Sequence, residues 1–135
     1  MELVSKIFWL LLAGGSGTVA RYVITNMMHN SSGAGFPWGI LAVNVVGSFL
    51  FGVIWAISEY WSGDMDQVRL ILLVGFMGGF TTFSSFAFDN ARLLRNADWI
   101  QSAGNILGQN VMAVVAVFAG IAFGRMIGLF LERMN

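Results

Sequence analysis

Residues Gly75 to Phe86 read G-F-M-G-G-F-T-T-F-S-S-F, with glycines, hydroxyls and aromatic rings where a plain membrane-spanning helix would carry leucine and valine. The stretch lies between Arg69 and Arg92, near the midpoint of an apolar span that exceeds the roughly 20 residues needed to cross hydrocarbon. Each glycine of Gly78-Gly79 costs a helix roughly 1 kcal/mol relative to alanine, and the Thr81-Thr82 hydroxyls compete for backbone acceptors. These residues predict an unwound turn in mid-membrane. Backbone groups freed there cannot face lipid, where each costs several kcal/mol, so they must line protein, water or an ion.

Composition fixes the class. Hydrophobic residues make up 57% of the chain and charged residues 10%, far below the roughly 25% charged of a soluble domain, and the mean hydropathy is +0.75. An integral membrane protein follows. The chain has no cysteine, which excludes disulfides and thiolate metal centres. Its formal charge is zero with no basic run, which argues against a nucleic-acid partner. Nucleotide loops, His-Glu metal pairs and Ser-His-Asp constellations are missing from the sequence, so enzymatic chemistry is not expected.

Four apolar segments are expected to cross the bilayer: 4–28, 37–61, 69–97 and 99–131. Together they form a single four-helix transmembrane domain over residues 1–135. Lys6 followed by Ile7 to Ala13 imitates a secretory signal, but three more segments of similar character follow, which favours a first span. The connections are the polar stretch His29 to Phe36, the stretch Ser62 to Gln67 with Gly63, Asp64 and Asp66, and a corner at Asn96 to Asp98. Pro37 opens the second helix, where a missing N–H is harmless. Trp38, Trp55, Tyr60, Trp61 and Trp99 fall toward segment ends as interfacial anchors.

Lys6, Arg69, Arg125 and Arg133 on one face nearly balance Arg21, Arg92 and Arg95 on the other, so the positive-inside rule sets almost no orientation. A chain of this kind inserts both ways, and two inverted copies pair about a twofold axis in the membrane plane. The expected fold is therefore an all-α membrane protein with a broken third helix, assembled as an antiparallel homodimer. Gly120, Gly124 and Gly128, the pair Gly104 and Gly108, and Ser48 with Gly52 are small-residue spacings suited to helix packing.

Several polar residues lie at hydrocarbon depth. Asn44 sits well inside the second segment, and an unpartnered amide there costs roughly 2 to 7 kcal/mol, so it bonds either a neighbouring helix or a permeant anion. Asn105 and Gln109 are one turn apart on the fourth segment, with Ala113 and Val117 continuing the line. Phe80, Phe83 and Phe86 recur at threes on one helix face, and their ring edges can face a small anion. Arg21 falls toward the end of the first segment, where it either draws anions into a vestibule or snorkels. Carbonyls without carboxylates suit a structural monovalent cation at the twofold centre. All seven acids, Glu2, Glu59, Asp64, Asp66, Asp89, Asp98 and Glu132, lie toward ends or loops, and the one histidine, His29, lies in a loop. Proton-coupled pumping is thereby disfavoured against passive conduction.

The spacing Gly17 to Tyr22, the run V-N-x-x-G-S-F over Val43 to Phe49, and G-G-F-T-T-F-S-S-F over Gly78 to Phe86 together resemble the Fluc (CrcB) family of small fluoride channels. The resemblance implies a dual-topology homodimer in the bacterial inner membrane. It further implies two fluoride pores and a central sodium ion held by the backbone carbonyls of Gly78 and Thr81. It assigns Phe83 and Phe86 as the pore phenylalanines, Asn44 as the fluoride-facing asparagine and Arg21 as the vestibule arginine. Ile40 replaces a threonine frequent in the family, and Asn105, Gln109 and Ala113 replace serine or tyrosine along the fourth-helix track. The rival readings are a small multidrug-type proton-coupled exporter and a structural accessory subunit.

Overall fold

The computed structural model describes residues 2–32, 35–61 and 65–134, and the turn residues Gly63 and Asp64 lie outside the described residues. Every regular element among the described residues is a helix. In order run α1 (Leu3–Ser32), α2 (Trp38–Glu59), α3 (Asp66–Arg69), a wide-turned π-helix (Leu70–Met77), α4 (Gly78–Phe80), α5 (Phe83–Arg95) and α6 (Trp99–Met134). Among the described residues, four stretches are long and apolar enough to span a membrane: Leu3–Met28, Trp38–Glu59, Asp66–Arg95 and Trp99–Arg133. The protein is a multi-pass membrane protein.

α1 continues through Ser32, so His29 to Ser32 belong to its last turn and not to a connection. Arg21 consequently sits inside α1 and not near the end of a segment. At the other corner, Ala97 takes φ 62, Asp98 N–H donates to the Leu93 carbonyl at 2.9 Å and Ala97 N–H to that of Leu94 at 3.1 Å. This 6→1 and 5→2 pair closes α5 so that α6 folds back along it.

The most extensive interface joins α2 to α6. A Cβ on Gly52 would stand 2.3 Å from the Val117 carbonyl oxygen, and one on Gly120 would stand 2.1 Å from that of Phe49. Only glycine permits that backbone approach, which gains dispersion contacts in a solvent that supplies no hydrophobic drive between helices. Gly104 and Gly108 behave differently, because a Cβ on either would meet nothing within 4 Å in the protomer. Val43, Leu73, Met77 and Phe80 form the buried core between α2 and the third span, with α1 contributing Ala20 and Ile24.

The third span departs from regular helix at Thr81 (φ −84, ψ 156) and Thr82 (φ −151, ψ 118). Gly78 and Gly79 stay helical. Gly79 has a different use, since a Cβ there would meet the Gly14 carbonyl oxygen at 2.3 Å where α1 presses on the turn.

Candidate functional site

Extended backbone at Thr82 turns its N–H and C=O toward α2, where Asn44 meets both. Thr82 N–H donates to Asn44 Oδ1 at 2.8 Å, and Asn44 Nδ2 donates to the Thr82 carbonyl at 3.0 Å. One side chain thus satisfies the Thr82 N–H, which the departure from helix would otherwise strand in hydrocarbon, and gives a further donor to the carbonyl that opens α5. Asn44 Nδ2 also donates to Gln109 Oε1, and Gln109 Nε2 donates to Asn105 Oδ1 at 3.2 Å. The structure therefore gathers Asn44, Gln109 and Asn105 into one amide file, with Gln109 5% and Asn105 0% exposed.

Thr82 also starts α5. Its hydroxyl accepts the Ser85 N–H at 3.2 Å, so α5 begins with its free amides in mid-membrane, an end that carries positive partial charge. The carbonyl end of α4 lies on the other side of the extended pair. There Arg21 Nε donates to the Gly79 carbonyl at 3.0 Å, which fixes Arg21 at the level of the extended pair. Because Thr82 N–H is held by Asn44, the Gly78 carbonyl loses the i+4 donor that a continuous helix would give it.

The expected stripe of three phenylalanines is divided. Phe80 is 4% exposed and stacks on Phe76 with centroids 5.9 Å apart. Phe83 and Phe86, beyond the extended residues, pair with each other at 5.4 Å and 52°. Threefold spacing puts side chains on one face only in uninterrupted helix, and Thr81-Thr82 interrupt it. Phe86 is buried at 8%, whereas Phe83 is 76% exposed on the protomer.

Two cavities flank the first turn of α5. One, of about 490 Å³, is lined by Asn44, Phe83, Phe86, Gln109, Asn110 and Ala113 among others. The second, of about 510 Å³, has Ser84, Ser85, Ile40, Asp89 and Arg92 on its wall, with Arg92 Nη2 3.3 Å from Asp89 Oδ1. Arg92, not Arg21, is the guanidinium facing this second cavity. Asn110 escaped the reading of the sequence, as did the buried residues Asn90 and Ser102. A signal for Asn110 existed, because an amide at mid-depth is costly anywhere in a span. Among the described residues, no group of three or more His, Cys, Asp or Glu is placed to hold a metal.

Four apolar spans around a carboxylate-free file of amides, with a helix N-terminus and paired rings beside it, define a membrane protein with the furniture of an ion-conducting site. Residues 8–121 match the family described as CrcB-like protein, Camphor Resistance (CrcB). The chain belongs to the CrcB family. It is 44% identical over 122 residues to the fluoride-specific ion channel FluC of Nitrosococcus oceani, covering 90% of this chain and 98% of that protein. It is 38% identical over 125 residues to the FluC of Solidesulfovibrio magneticus, covering 93% and 100%, and 41% identical over 120 residues to that of Parabacteroides distasonis, covering 89% and 93%.

Proposed function

We propose that this chain is a fluoride-selective channel through which the anion leaves the cytoplasm of a bacterial cell passively, across the inner membrane. The observation that carries the reading is the amide file at Thr82, Asn44 and Gln109 beside the Phe83 and Phe86 rings, at a depth where no carboxylate intrudes. Fluoride is small and strongly hydrated. Amide N–H groups, the amino end of α5 and positive ring edges replace its water, while chloride is too large and too weak an acceptor to profit equally. The names of the relatives support this choice of ion and speak for a channel over an enzyme.

The functional unit is an antiparallel homodimer. Phe83 is exposed, Gly104 and Gly108 have open space beside them, and Asn110 is exposed at hydrocarbon depth, a surface better suited to a second copy than to lipid. Gly78 and Thr81 would hold a structural sodium ion with their backbone carbonyls. The fit rests on the Gly78 carbonyl, deprived of its helical donor, on the open space beside Gly78, and on a donor set of neutral oxygens. When bound, the ion would neutralise the carbonyl end of α4 and add positive potential near the anion path.

Purified channel reconstituted in liposomes should release fluoride without a proton gradient. Proton-dependent drug movement without fluoride efflux would contradict the reading. Exhaustive exchange of sodium for a large organic cation should lower both efflux and thermal stability of the dimer. Unchanged efflux and stability after that exchange would remove the sodium ion from the account.

A further inference from the structure

The second span ends at Glu59 and the third begins at Asp66, so Trp55, Ser58, Glu59 and Arg69 meet at one boundary of the apolar region, the level of lipid headgroups. Arg69 Nε donates to Ser58 Oγ at 2.8 Å, and the buried Ser58 hydroxyl donates in turn to the Trp55 carbonyl at 2.6 Å. The guanidinium lies over the Trp55 ring, 4.9 Å from its centroid. Hydrogen bond and ring together fix its plane. That fixing uses only Nε. Neither Nη1 nor Nη2 has a side-chain, backbone or carboxylate acceptor among the described residues. Both open to the outside, since Asn105 Nδ2 is the one buried side-chain donor left without a partner there. A guanidinium edge held in this way matches two oxygens of a phosphodiester.

The acid beside it narrows the kind of phosphodiester. Glu59 Oε1 accepts the Trp55 indole N–H at 3.2 Å, so Glu59 and Arg69 share one indole without pairing with each other. Its carboxylate sits at the carbonyl end of α2, where a cation is favoured. Glu59 and Asp66 outnumber Arg69 at this corner, so a headgroup carrying phosphate and ammonium together suits it better than one of net negative charge. Ser58 also lines a cavity of about 380 Å³, walled by Ile54, Ile57, Trp61, Val68 and Leu72. Ile54 and Ile57 share a face of α2, and Leu72 lies a turn deeper in the third span than Val68. The groove therefore runs from headgroup level into hydrocarbon, the course of an acyl chain.

We propose that this corner binds a phosphoethanolamine phospholipid: its phosphate accepts from Arg69 Nη1 and Nη2, its ammonium donates to Glu59, and one acyl chain lies in the groove between α2 and the third span. The site is independent of which ion the chain conducts. A phosphocholine lipid fits less well because its methylated nitrogen has no N–H for Glu59, and a phosphoglycerol lipid brings no cation at all. Inorganic phosphate reaches the guanidinium but leaves the groove empty.

The test is native mass spectrometry of the intact wild-type protein in detergent, with dioleoyl phosphatidylethanolamine, phosphatidylcholine and phosphatidylglycerol supplied in equal amounts. The wild type should retain the ethanolamine lipid about fivefold more than either of the others. Glu59→Gln should erase the preference over phosphatidylcholine and leave phosphatidylcholine retention unchanged; Glu59 is exposed, so the fold survives the change. Arg69→Gln should lower retention of all three lipids about tenfold. Glycerophosphoethanolamine, the same headgroup without chains, should displace little bound lipid at equal concentration. Equal retention of the three lipids by the wild type, or tighter retention of phosphatidylglycerol, overturns the proposal without recourse to any variant. An ethanolamine preference that persists in Glu59→Gln places that lipid elsewhere and overturns this corner as its site. Full displacement by the chainless headgroup overturns the part assigned to the groove.

Discussion

Asn44→Leu is expected to abolish fluoride efflux and to lower the stability of the protein. The substitution nearly conserves volume but strands the Thr82 N–H and Gln109 Oε1 together and takes from the Thr82 carbonyl its side-chain donor. A buried polar group left without a partner costs about 1–3 kcal/mol, so the Thr82 N–H alone is worth about that much. Part of that loss is avoided if the backbone at Thr82 rearranges, and rearrangement itself moves the first turn of α5 and both cavities beside it. Asn44→Asp separates the two effects. It keeps an acceptor for Thr82 N–H but sets an oxygen against the Thr82 carbonyl and another against Gln109. Efflux should fall about as far as in the leucine variant. Thermal unfolding and size-exclusion profiles in detergent, read beside efflux, check the pair, and efflux at the wild-type rate in Asn44→Leu would contradict the assigned role of the amide.

Phe83→Ile and Phe86→Ile should each cut fluoride efflux about tenfold or more, a factor equivalent to about 1.4 kcal/mol of lost stabilisation of the permeating ion. Isoleucine retains apolar bulk and removes the ring quadrupole whose positive edge can face an anion. The two variants differ in what else they disturb. Phe83 is 76% exposed and Phe86 8%, so within the protomer only the second substitution disturbs packing, at a cost of about 1–3 kcal/mol. Loss of efflux in Phe83→Ile with an unchanged unfolding temperature therefore isolates the ring itself. Retained efflux in both variants would exclude the ring edges from conduction.

Much of the fold was legible because hydrocarbon imposes a length on every crossing and excludes charge from it. Leu41 to Ala56, for example, contains no ionisable residue and one lone amide, so Asn44 announced both the span and its own exceptional position. The finer geometry was hidden for a physical reason: glycine is ambiguous. Gly78-Gly79 suggested a break by propensity, yet Gly79 is present so that α1 can approach, and the extended residues are Thr81 and Thr82. That shift of three residues separates Phe80 from Phe83 and Phe86, which no periodicity argument can anticipate. Arg21 was similarly ambiguous, because its partner is a carbonyl 58 positions away in sequence. Asn90 and Ser102 gave little signal near the end of α5 and the start of α6, where polar residues are common; only their burial against each other reveals them.

The decisive measurement is ion efflux from liposomes containing the purified protein, recorded with fluoride and chloride electrodes in parallel and with the proton gradient collapsed. The account predicts rapid release of fluoride and retention of chloride under those conditions. Release of both halides alike, or release of neither, would contradict it.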